Sequence, residues 1–154
     1  MVLIEQALTE KQIRDAKKLF IEYSNHLGID LSFQNFKEEL NKFPGQYSPP
    51  EGCIFLAYYK KKPIGCVGLR KFKDDICEMK RLYIHPKFRK KGIGKTLATT
   101  IINESKEIGY KYMRLDTLPF MTEAITLYLA LGFKEISPYR YNPFENAKFF
   151  EVEL

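Results

Sequence analysis

Between Ile76 and Ile108 the chain changes its hydrophobic period, and this constrains the fold more than any other feature. Ile76 to Ile84 is a run of strand type, ended by His85-Pro86. A helix then opens at the glycine-rich Gly92-Ile93-Gly94 and runs to about Ile108. Its inward stripe is Ile93, Leu97, Ile101 and Ile108, widened by Ala98 and Ile102. Gly109 stops it, and Tyr112 to Leu115 reads as the next strand. Strand, helix and strand in this order form one parallel crossover.

The rest of the chain reads as hairpins and short helices around that unit. MVLIEQAL is an opening strand, and Thr9-Glu10-Lys11-Gln12 has the form of a capping box. Ile13, Ala16, Phe20, Tyr23 and Leu27 then recur at helical spacing. Ser32 is placed to cap a second helix with Phe33, Phe36, Leu40 and Phe43 on its apolar side, stopped by Pro44-Gly45. Strands Cys53 to Tyr59 and Ile64 to Phe72 flank the basic turn at Lys60 to Pro63, and Asp74-Asp75 turns the chain into a third antiparallel strand. A last helix covers about Phe120 to Leu131, Gly132 stops it, and strands at 133–136 and 147–154 complete the sheet. The fold class expected is α/β of the α+β type. A mixed, mostly antiparallel sheet of about six or seven strands is flanked by about four helices.

Composition removes several classes of function. The 154 residues suit one domain spanning 1–154, and that length buries enough surface to fold without disulfides or metal. No uninterrupted apolar run approaches the ~18 residues of a membrane span. The opening segment turns acidic too soon for a signal peptide. Cys53, Cys66 and Cys77 form no CxxC pair, and His26 and His85 stand far apart, so neither a zinc site nor a disulfide framework is expected. The cysteines sit in strand-like stretches as core residues and fit a cytoplasmic location. The net charge of +6 favours anionic partners without choosing among them.

The turn that opens the third helix narrows that choice. Arg89-Lys90-Lys91-Gly92-Ile93-Gly94-Lys95 combines glycines, which let a ligand approach the backbone, with a helix start and four cationic side chains. The combination makes an anion site suited to a pyrophosphate. A P-loop needs glycine where Arg89 stands. A dinucleotide fingerprint beginning at Gly92 needs a small residue where Leu97 stands. The pattern Arg/Gln-x-x-Gly-x-Gly/Ala is filled by Arg89, Gly92 and Gly94.

That pattern, after a strand and opening a helix, resembles the acyl-CoA site of the GNAT superfamily of N-acetyltransferases. The stretch Glu78 to Pro86 is similar to that family's central strand, and Ala124 to Phe133, a helix with a tyrosine ending in Gly-Phe, is similar to its second signature. The motifs cover about residues 53 to 136. The resemblance implies a GNAT-like fold, acetyl-CoA as co-substrate, no metal, and transfer of an acetyl group to a primary amine by direct attack in a ternary complex.

It also implies roles for particular residues. Leu82, Tyr83 and Ile84 would be the strand's share of the cofactor site, with the Leu82 N–H on the thioester carbonyl and Ile84 holding the pantetheine. Arg89, Lys90, Lys91, Gly92, Ile93, Gly94 and Lys95 would wrap the pyrophosphate. Glu78, 14 positions before Gly92, matches the place of a general base, with Asp116 a weaker candidate. Tyr128 matches the tyrosine that donates to the departing sulfur. Met121 stands where family members often carry Asn. His85 reads as a turn residue and His26 as a helix cap or surface residue.

The acceptor is expected near the first helices and the last hairpin. Tyr23, Phe33, Phe36, Phe43 and Tyr47 fall at core spacing, whereas Tyr139-Arg140-Tyr141-Asn142 reads as a loop facing a ligand or a partner subunit, with Arg140 suited to an acceptor carboxylate. A homodimer is compatible with this, and no membrane partner is expected. The alternative is a non-catalytic module on the same fold, one that senses CoA or holds nucleic acid. Against nucleic acid, the basic residues concentrate at one helix start and lack an interleaved aromatic stripe.

Overall fold

A computed structural model describes residues 1–28 and 35–154. In chain order its elements are β1 (Val2–Gln6), α1 (Glu10–Leu27), α2 (Phe36–Asn41), β2 (Cys53–Tyr59), β3 (Lys62–Lys73), β4 (Ile76–Ile84), α3 (Ile93–Ile108), β5 (Tyr112–Thr117), α4 (Thr122–Ala130), β6 (Lys134–Ile136) and β7 (Lys148–Glu153). Single turns of 3-10 helix lie at Gly45–Tyr47 and Pro86–Phe88. The strands form one sheet in the order β1-β2-β3-β4-β5-β7-β6. Only β4 and β5 run parallel among the described residues, as a single crossover through α3 requires. This is the mixed, mostly antiparallel α/β sheet that the periodicity predicts.

Local chemistry explains most boundaries. Thr9 Oγ1 accepts from the Gln12 N–H at 3.1 Å while the Thr9 N–H donates to Gln12 Oε1 at 3.0 Å, so the capping box starts α1 as expected. The basic hairpin turn tightens to Lys60-Lys61, with φ of 48° and 65°, because two positive φ values match the twist of the flanking strands. The last helix begins at Thr122 rather than Phe120, which sits in the preceding turn, largely exposed. The expected cap at Ser32 and the expected core position of Phe33 lie outside the described residues.

Two apolar layers sandwich the sheet. Val67, Leu69, Met79, Met113, Leu115 and Phe150 pack against Leu97 and Ile101 of α3 and against Tyr128 of α4. On the opposite face Ile54, Leu56, Cys66 and Tyr83 meet Leu19 and Phe20 of α1, together with Phe36 and Tyr47. The aromatics at Tyr23, Phe36, Phe43 and Tyr47 therefore join a core, as their spacing predicts. All three cysteines are buried thiols, and burial raises Cys53 and Cys77 to about 12. No helix among the described residues is long and apolar enough to cross a membrane.

Candidate active site

The site begins with an irregularity in β4. Gly68 of β3 stands opposite Lys80, but Cys66 stands opposite Tyr83, so β4 carries one extra residue between them. Arg81, at φ 61°, is part of this bulge. The extra residue resets the alternation of faces. Cys77 and Met79 point into the α3 layer, Tyr83 into the α1 layer, and Leu82 and Ile84 pack again on the α3 side. The β4–β5 ladder covers only Ile76 to Glu78 against Tyr112 to Arg114. Beyond Glu78 the two strands are no longer paired, and side chains line the gap between them.

One end of the gap opens into a cavity of about 830 Å³ over the start of α3. Leu82, Tyr83 and Ile84 line it from the strand. Arg89, Lys90, Gly92, Ile93, Gly94 and Lys95 line it from the turn and the first turn of the helix. Lys91 does not, since its Nζ lies over the Phe88 ring at 5.7 Å. Arg89 Nε donates to the Ile84 carbonyl at 2.9 Å, which ties the turn to the strand end. No side chain among the described residues caps the N-terminus of α3, so its first N–H groups and the positive dipole end face this space.

The two glycines of the turn have different reasons to be there. Gly92, at φ 79°, caps the helix in a left-handed conformation that costs any other residue about 1 kcal/mol or more. Gly94 is ordinary helix, and a Cβ there would meet nothing closer than Leu127 at 3.8 Å. The fold does not need glycine at Gly94, and its bare backbone leaves the helix start open to the cavity. The cavity fits a pyrophosphate-bearing group on these grounds.

The middle of the gap is a small recess of about 40 Å³ lined by Lys80, Leu82, Asp116, Tyr128, Met121 and Asn142, among others. Leu82 and Met121 line the large cavity as well, so the two spaces adjoin. Tyr128 is buried against Phe133 and Phe150, and burial pushes its hydroxyl well above the ordinary phenol range, keeping it a neutral O–H donor. Lys80 Nζ stands 3.5 Å from Asp116 Oδ1, with side-chain exposures of 4% and 2%. Burial brings Lys80 down to about 8 against the attraction of Asp116. Asp116, for which burial works in the opposite sense, stays below the usual carboxylate range because of Lys80, Arg140 and the Asn142 amide.

On the far side of the recess stands Glu78. It shares a strand face with Lys80 and is fully buried. Its Oε1 accepts from Arg70 Nε at 3.1 Å and Arg140 Nη2 at 2.6 Å, and its Oε2 accepts from the Tyr139 hydroxyl at 2.8 Å. Both oxygens are thus engaged by three donors, two of them cations, in the structure without substrate. In the loop after β6, Tyr139 and Arg140 turn inward onto Glu78 and Asn142 onto Asp116, with Arg140 and Asn142 lining cavities, while Tyr141 stays largely exposed. His85 Nδ1 accepts from the Lys87 N–H at 3.2 Å, a turn contact as expected. His26 lies in the last turn of α1 with its ring 6.1 Å from that of Tyr83.

Sequence reasoning missed Lys80, Arg70 and the Arg81–Glu39 pair, whose two hydrogen bonds are both 3.1 Å. A signal existed for the first: Lys80-Arg81, with Glu78, interrupts an otherwise apolar strand. Arg70 had none. The hairpin turn pairs Lys73 with Ile76, which would set Lys71 against Glu78, and a register shift sets Arg70 there instead.

A mixed sheet parted at a bulge, with an uncapped glycine-flanked helix start beside the parting, is the framework shared with the proteins that this chain resembles. The chain belongs to the acetyltransferase (GNAT) family, whose model matches residues 13–133, and it is an acyltransferase. It is 38% identical to an uncharacterized N-acetyltransferase of Schizosaccharomyces pombe, over 94% of this chain and 90% of that one. It is 34% identical to one from Dictyostelium discoideum, over 88% and 91%. Among solved structures, an acetyltransferase of the GNAT family from Staphylococcus aureus superposes with a TM-score of 0.80 at 19% identity, covering 99% of both chains. PaiA N-acetyltransferase from Thermoplasma acidophilum, in complex with coenzyme A, gives 0.76 at 19% identity, over 100% of this chain and 99% of that one.

Proposed function

We propose that the chain transfers an acetyl group from acetyl-CoA to a primary amine by direct attack, with both substrates bound together. The observation that carries this reading is the adjacency of the cationic cavity over α3 and the recess that holds Tyr128 and Lys80, which share Leu82 and Met121. Acetyl-CoA supplies an activated acyl carbon on a thiol leaving group. A structure with coenzyme A bound shares the fold, which supports that choice.

Arg89, Lys90, Gly92, Gly94 and Lys95 hold the pyrophosphate through side-chain charge and the free N–H groups of α3. Ile84 and Tyr83 hold the pantetheine at the strand edge. The Leu82 N–H, in the part of β4 that β5 no longer pairs, polarises the thioester carbonyl and favours charge developing on its oxygen. An ammonium has no lone pair, so the acceptor must lose a proton before it attacks. Lys80 in its neutral form takes that proton, because its proton affinity is near neutral and it stands inside the recess. Tyr128 donates its O–H to the sulfur as the carbon–sulfur bond breaks. A hydrogen bond suffices, since full transfer from a phenol to a thiolate is uphill. The three unpaired thiols support a reducing, cytoplasmic setting.

Thermal unfolding with acetyl-CoA, CoA, ATP and a short DNA duplex tests the reading. A ligand at 100 times its Kd stabilises by about 2.7 kcal/mol, which for this size raises Tm by about 5–10 °C. A shift with acetyl-CoA and CoA but not with DNA is expected. Stabilisation by DNA alone would overturn it.

A further inference from the structure

We infer that the acceptor is an amine that also carries a carboxylate several bonds away, and that Arg70 and Arg140 bind this carboxylate. The inference rests on the acyl-transfer reading and names its second substrate class. Beyond Glu78 lies a cavity of about 550 Å³ whose floor is Arg70, Glu78 and Arg140 and whose walls include Tyr47, Gln46 and Phe72. Two guanidinium groups there converge on one carboxylate oxygen, at 3.1 Å and 2.6 Å. The nearest second carboxylate, Glu39, is engaged by Arg81 and approaches Arg70 only to 4.0 Å. The rim lysines Lys42 and Lys71 are matched by Glu38 and Glu51. The floor of the cavity thus presents two guanidinium groups gathered on one carboxylate oxygen.

The donors agree with the charge. Arg140 Nε is buried with no hydrogen-bond partner among the described residues. Its guanidinium lies over the rings of Phe72 and Tyr139, at 5.7 Å and 5.6 Å, which fixes the plane of the fork. Arg140 shares the Glu78 carboxylate with Arg70 and keeps 22% of its side chain exposed, and a guanidinium fork matches a carboxylate in shape. An acceptor carboxylate would add a second anion to the two guanidinium groups.

Position sets the length of the acceptor. Glu78 and Leu82 are four positions apart in β4, on the order of 10 Å along a strand. An amine at the thioester and a carboxylate at Arg140 must therefore stand several bonds apart. A dipeptide or an ω-amino acid meets this, and a free α-amino acid, with one carbon between the two groups, does not.

Calorimetry on the full chain, with and without saturating CoA, compares glycylglycine with glycylglycinamide and 6-aminohexanoate with its amide, and adds glycine. Each acid is expected to bind about 10- to 100-fold more tightly than its amide, the range of a charge-assisted hydrogen bond. Glycine is expected to bind weakly. Arg140→Gln should abolish the acid–amide difference and still fold, since it leaves Arg70 and Glu78 as a matched pair. Equal binding of acid and amide, binding of neither, or a difference that survives in Arg140→Gln would overturn the inference. Failure of CoA to bind would instead sink the acyl-transfer reading, and the arm without CoA reads the acid–amide difference independently.

Discussion

Lys80 and Asp116 face each other at 3.5 Å across the gap where β4 and β5 part, both removed from water. In a regular parallel pair this space would be closed by backbone hydrogen bonds. Here it is bridged by a cation and an anion whose proton affinities burial and attraction shift, Lys80 to about 8. Activity is expected to rise with pH through about 8 as Lys80 loses its proton. Asp116→Asn removes the attraction that holds the proton on Lys80, so the same limb should move to lower pH. Lys80→Met should abolish the limb. Profiles of kcat against pH for the three proteins test this, and a limb unmoved in both variants would remove Lys80 from the proton path.

The same group links stability to pH. Between about 8 and the unperturbed 10.5 the unfolded chain holds a proton at Lys80 that the folded protein has lost. Stability from this group therefore rises with pH across that window. Denaturant titrations of the parent at pH 8 and 10 should show the rise, and it should be absent in Lys80→Met.

Tyr128→Phe removes one hydroxyl from a packed core position and leaves the ring contacts with Phe133 and Phe150 in place. A fall of about 10- to 100-fold in kcat is expected, with Kd for CoA and Tm little changed. An unchanged kcat would return Tyr128 to a purely structural role.

Gly94→Ala separates fold from ligand. The added methyl meets only ordinary contacts and suits a helix, so Tm should hold or rise slightly, while acetyl-CoA binding weakens because the methyl occupies the approach to the helix start. Gly92→Ala should lower stability by about 1 kcal/mol through its left-handed backbone. A Gly94→Ala protein with undiminished binding would show that the ligand does not approach there.

Glu78→Gln tests what Glu78 is for. Removing its charge leaves two guanidinium groups without their shared anion, a loss of about 3–5 kcal/mol for a buried pair. A clear drop in Tm is expected, with the limb near pH 8 still present in whatever activity survives. A stable variant that lost that limb would restore Glu78 as the base.

The sequence by itself determined the elements and their order. The capping box at Thr9 and Gln12, the period change at Ile84 to Gly92 and the glycine stops at Gly109 and Gly132 are local signals, and each acts within a turn or two of its own position. The segment proposed to hold the pyrophosphate was legible for the same reason, because Arg89 to Lys95 is one continuous stretch. What lay beyond the sequence depends on register. One extra residue at Arg81 decided which way Leu82 and Tyr83 face, and one register shift near Lys73 brought Arg70 rather than Lys71 to Glu78. Arg140 and Tyr139 reach Glu78 from 62 and 61 positions away along the chain. A bulge shifts every later side chain by one place, yet it leaves composition and period almost unchanged. The residues proposed to hold the acceptor are therefore set by tertiary pairing, while the cradle proposed for the cofactor is set by the chain's own order.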